Sequence, residues 1–164
     1  MTLSITVRRK NLNEALVSLL NSLGEAHFTN LTFLPSHYPD VLPTTWTEMT
    51  RCGLLEDEGM NIVAYRLTKY GYIRALEESG RSGDPEFREQ LGKICKVLKG
   101  CLNGRADFGL ISFHELVKGS GVSEAFAQNA LDADLIRHVL GRNGPGWDGD
   151  HAVRVPHDFG IPPM

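Results

Sequence analysis

One short string constrains this chain more than any other: Tyr65-Arg66-Leu67-Thr68-Lys69-Tyr70-Gly71, in which an extended run passes straight into a helix. Tyr65 and Leu67 flank Arg66 with the alternation of a strand. Thr68 stands where a helix start needs a side-chain oxygen, and Ile73, Ala75 and Leu76 continue at helical spacing. Upstream, residues 45–52 read as a short helix in which Thr45 and Glu48 have the spacing of a capping box. Gly53-Leu54-Leu55 and residues 62–67 read as two strands around the turn Glu56-Asp57-Glu58-Gly59. The predicted order is helix, strand, acidic turn, returning strand, helix.

That order, with its Tyr-x-Leu-Thr-x-x-Gly string at residues 65–71, resembles the winged helix-turn-helix superfamily. The resemblance covers residues 45–79 well and residues 112–160 in outline. It implies a DNA-binding transcriptional regulator, the superfamily's frequent role, with double-stranded DNA as the partner. Winged helices also serve as protein-docking modules, so the same resemblance is compatible with an adaptor or oligomerisation module that binds a protein partner or a second copy of itself.

The rest of the chain extends the pattern. Asn11 and Glu14 match a capping box, followed by Ala15, Leu16, Leu19, Leu20 and Leu23 at helical spacing and a stop at Gly24. Pro35, Pro39 and Pro43 bracket a loop. Ser79-Gly80-Arg81-Ser82-Gly83 is a linker signal, and Asp84-Pro85 opens a helix with an apolar stripe of Phe87, Leu91, Ile94, Leu98 and Cys101. Ser112 with Glu115 predicts a short helix ending at Gly119; Ser123 caps a longer one reaching Leu140. A Gly-rich stretch, 141–149, then leads to a strand over 152–155. The second half thus repeats the plan of the first. The expected fold class is mainly α with small β-wings (α+β), as two winged-helix-like units joined by a long helix, with boundaries at 1–83, 84–104 and 105–164.

Composition excludes several functions. The 164 residues carry a net charge of −3 and a pI near 6.1, so no global basic field draws the chain to nucleic acid or anionic membrane. Residues 1–80 hold 7 basic and 9 acidic side chains, residues 81–164 hold 10 and 11, so neither half is basic. No apolar run approaches the roughly 18 residues of a spanning helix, and residues 1–10 lack the apolar core of a secretory signal. Three cysteines, Cys52, Cys95 and Cys101, without a Cys-x-x-Cys pair read as free thiols in a reducing cytoplasm: Cys52 in the core, the other two beside an apolar stripe where burial raises their pKa.

Chemistry-bearing constellations are sparse, and neither catalysis nor a metal, cofactor or small-molecule ligand is expected. His151 and His157 lie near Asp148, Asp150 and Asp158, but six strand residues separate the histidines by roughly 20 Å, which reads as a solvated polar loop. His114-Glu115 lacks the second histidine of a zinc-hydrolase helix, and no Gly-x-Ser-x-Gly elbow occurs. Gly141-Arg142-Asn143-Gly144-Pro145-Gly146 lacks the Gly-Lys ending of a phosphate loop.

Two sets of candidate binding residues remain. Carried over from the resemblance, DNA reading falls on Thr45, Thr47, Thr50 and Arg51, with Lys69 as a phosphate contact. Basic groups elsewhere add an arm, Arg8-Arg9-Lys10, and a helix face of Lys93, Lys96 and Lys99. For the protein-binding alternative, the acidic turn Glu56, Asp57 and Glu58 would meet a basic partner and Trp147 would supply an aromatic anchor.

Overall fold

A computed structural model of the protein describes residues 9–104, 108–136, 140–141 and 152–160. The described chain is mainly helical, with two small antiparallel sheets, and divides into two units between Ser79 and Gly80.

The first unit opens on α1 (Leu12–Leu23). Asn11 accepts from the Glu14 amide at 2.8 Å and the Glu14 carboxylate reaches back, so the predicted capping box forms. Its stripe of Ala15, Leu16, Leu19, Leu20 and Leu23 is buried and packs mainly on α3 (Lys69–Ser79). Between them lie a single 3-10 turn (Pro35–His37), α2 (Pro43–Arg51), β1 (Leu55–Asp57) and β2 (Tyr65–Leu67). Strand β1 pairs antiparallel with β2 in the register Leu55↔Leu67, Glu56↔Arg66, Asp57↔Tyr65. On its other side Tyr65 exchanges backbone hydrogen bonds with Phe33 at 2.6 and 2.9 Å.

Two local expectations are corrected here. Helix α2 begins at Pro43, without a side-chain cap, rather than at Thr45. Proline at the first helical position gives up no hydrogen bond, and Glu48 turns to Arg51 instead of back to Thr45. The strands also differ from the reading: β1 runs on through Glu56 and Asp57, expected in the turn, while β2 is shorter, Ile62 and Val63 lying in an exposed loop before it.

The Tyr65-to-Gly71 string is a structural lock. Leu67 is buried, Tyr65 stacks on Trp46 with centroids 5.1 Å apart, and Thr68 Oγ1 donates to the Gly53 carbonyl while accepting from the Gly71 amide at 3.2 Å. Gly71 is required by close approach: a Cβ there would stand 2.0 Å from the Leu54 carbonyl oxygen.

The second unit starts at a 3-10 turn (Arg81–Gly83) and α4 (Pro85–Gly100), capped by Asp84 onto the Glu86 amide. Leu91, Ile94 and Leu98 are buried as the stripe predicts, and α4, the helix expected to join the units, packs on α5 (Phe113–Ser120) within this unit. Ahead of α5 comes β3 (Phe108–Ser112), a strand the sequence reading did not anticipate. Ser112 then caps α5 and Ser123 caps α6 (Glu124–Asp132).

Helix α6 ends eight residues short of Leu140. Ala133 closes it, Asp134 takes a left-handed φ of 55°, and Leu135 and Ile136 return to the core. Burying those two apolar side chains compensates for ending the helix at this point. Leu140–Gly141 forms β4 and Ala152–Pro156 forms β5, which lies between β3 and β4 with both pairings antiparallel. A Cβ at Gly109 of β3 would stand 2.5 Å from the Cys101 carbonyl oxygen, a second close approach that only glycine permits. Among the described residues, no helix is long and apolar enough to cross a membrane.

Candidate functional site

Most of the described residues expected to contact DNA are held by other duties. Lys10 forms an ion pair with Asp40 at 2.9 Å and donates to Ser18 Oγ at 2.7 Å; its ammonium holds the Asp40 carboxyl below the usual carboxylate range. Arg9 donates to the Pro39 carbonyl at 2.8 Å, and Arg8 lies outside the described residues. On α2, Thr45 is half-buried, and Thr47 and Thr50 donate to the carbonyls of Pro43 and Trp46. Arg51 pairs with Glu48, lowering the Glu48 pKa and raising its own. Lys69 sits over the Tyr70 ring, 5.3 Å from its centroid. Lys93, Lys96 and Lys99 are exposed along α4 and make no ion pair among the described residues.

The acidic set is likewise engaged. Arg66 Nη2 lies 3.2 Å from Glu56 Oε2 and 2.8 Å from Glu58 Oε1, and Asp57 Oδ1 accepts from the Gly59 amide at 2.9 Å. The carboxylates brace their own ribbon. Trp147, Asp148, Asp150 and His151 fall outside the described residues, and among those described no cluster has the makings of a metal site. Cys52 is exposed, correcting the expectation of a core thiol; burial pushes the Cys95 and Cys101 thiols up.

What sequence reasoning missed is an open groove of about 790 Å³ in the first unit. Trp46, Tyr65 and Tyr38 line it, Tyr38 meeting Trp46 edge-on at 5.8 Å. Pro35, Pro39 and Pro43 contribute further lining, and Ile62 and Val63, 65% and 62% exposed, stand beside the fully exposed Met60. The indole N–H of Trp46, itself 2% exposed, finds no acceptor among the described residues. The available signal was the Pro35/Pro39/Pro43 spacing set against the aromatic run Tyr38, Trp46, Tyr65. Of the predicted site residues that are described, Arg9 and Thr47 line this groove. Comparison with protein-family models, curated proteins and solved structures finds no match.

Proposed function

We propose that the protein is a non-catalytic tandem winged-helix adaptor of the reducing cytoplasm, which docks another protein on its N-terminal unit. The observation that carries this reading is the loop of residues 59–63. A DNA-binding wing places cations beside phosphates; here Met60, Ile62 and Val63 stand exposed. Exposed apolar residues gathered beside an aromatic groove are a mark of protein docking.

The winged-helix part of the proposal draws support from strand order. In the second unit helix α4, strand β3, helices α5 and α6, then β4 and β5 follow in turn, and the last strand lies between the other two. In the first unit Tyr65 of β2 likewise lies between Asp57 of β1 and Phe33.

One observation favours DNA as the second reading: Lys93, Lys96 and Lys99, which make no ion pair among the described residues, share one stretch of α4. Titrating labelled mixed-sequence duplex at low and moderate salt separates the two. The adaptor reading expects no binding, or weak binding lost on adding salt. Tight binding that falls by orders of magnitude with salt identifies a regulator instead.

A further inference from the structure

We propose that the groove of the first unit receives a peptide segment of a partner protein, in which a carboxylate is flanked by apolar side chains. The inference rests on the adaptor reading and names the chemistry of its partner. The groove's volume, about 790 Å³, lies within the range of pockets that enclose a small ligand or several peptide side chains. Its lining is aromatic and aliphatic, with hydroxyls from Ser36 and Thr47. Among the described lining residues Arg9 alone is charged.

Charge complementarity therefore specifies the occupant's sign. The exposed Arg9 guanidinium has five N–H donors, and the structure gives one of its nitrogens to the Pro39 carbonyl. The remaining donors suit a carboxylate, which they can grip in the plane of the fork. A cationic segment would meet like charge and no carboxylate among the lining residues.

The loop of residues 59–63 sets the rest of the occupant's chemistry. It bends at residues 60–62 and packs the Ile62 carbonyl onto Gly59, so what it presents at the groove is the pair of exposed β-branched side chains, Ile62 and Val63. Apolar side chains on either side of the occupant's carboxylate can cover them.

The test is to pan a random twelve-residue peptide library against the full-length protein and against Arg9→Glu. The expected result is enrichment of peptides with one Asp or Glu among Val, Ile, Leu or Pro, and a switch to basic peptides on the variant. Peptides selected on the wild type should lose about tenfold or more in affinity on Ile62→Ser/Val63→Ser and on Arg9→Glu. Enriched peptides indifferent to all these substitutions would overturn the groove as the site while leaving the adaptor reading standing. Absence of enrichment overturns the proposal, and the duplex titration decides the adaptor reading separately. Displacement of the selected peptides by a synthetic peptide of residues 1–8 would make the chain's own start the occupant. A wild-type dimer that Ile62→Ser/Val63→Ser converts to monomer would make it a second copy; either result overturns the partner assignment.

Discussion

In the first unit the central strand β2 is flanked by the three residues of β1 and by one bridge at Phe33. In the second, β5 is flanked by five paired residues of β3 and two of β4. The smaller sheet is reinforced by side chains: Trp46 stacks on Tyr65, Tyr38 meets Trp46, and Arg66 ties Glu56 to Glu58. The larger sheet carries more of its order in the backbone ladder. Their surfaces differ in the same sense. Arg9, Lys10, Arg51 and Arg66 of the first unit are bonded to neighbouring carbonyls or carboxylates, whereas Lys93, Lys96 and Lys99 of the second make no ion pair among the described residues. Two stretches of similar net charge thus present different chemistry, because availability of a charge depends on what stands within reach of it.

The sharpest way to break this comparison is to fill one close approach in each unit. Gly71→Val should cost the first unit about 3 kcal/mol or more, since the new Cβ meets a backbone oxygen that has nowhere to yield. Gly109→Ala, with 2.5 Å of separation, should cost the second unit about 1–3 kcal/mol. Hydrogen exchange on the full chain reads the units separately: protection is expected to fall over residues 9–79 in the first variant and over residues 80–160 in the second. Loss across both units in either variant would show that they fold as one. Next in size, Arg66→Ala should remove about 0.5–1 kcal/mol from the first unit, an effect that added salt shrinks, measured by denaturant titration.

The thiols sharpen the contrast further. Cys52 is exposed, while Cys95 and Cys101 are held partly inside the second unit with raised pKa values. Alkylation near neutral pH, followed by mass spectrometry, should label Cys52 first and Cys95 last, and raising the pH should speed the two half-buried thiols. Labelling of Cys95 ahead of Cys52 would contradict the packing of α4.

Local signals were legible where one residue decides the outcome. Asn11, Asp84, Ser112 and Ser123 each cap the helix they were expected to cap, because a side-chain oxygen at that position answers a nearby orphan amide. Failures occur where tertiary contacts compete. Thr45 had the spacing of a cap, but Pro43 began the helix earlier and Glu48 found Arg51. Residues 132–140 kept helical apolar spacing, yet the core took Leu135 and Ile136 from a turn. Strand β3 was missed because a short apolar run does not distinguish strand from buried helix. For the candidate site, sequence located the cations without the groups that engage them. It read Ile62 and Val63 as strand because β-branched residues favour strands, so their exposure beside a groove was not foreseen.

The smallest effect expected is the pH dependence of the Lys10–Asp40 tie, and its sign follows from linkage. The hydrogen bond from Lys10 depresses the Asp40 pKa in the folded chain below its unfolded value. The pair therefore contributes stability that is present above the unfolded pKa and is lost as pH falls through the folded one. Glu48, depressed by Arg51, acts in the same direction. Thermal unfolding from neutral pH down into the carboxylate range should show wild type losing more stability than Asp40→Asn, the two curves converging in acid. The gap should be small and should narrow with salt, because both partners are near solvent. A gap that widens in acid would mean that Asp40 is strained rather than held. The N-terminal arm would then be free to leave the loop at Pro39, and Arg9 would lose the fixed position that the peptide groove requires.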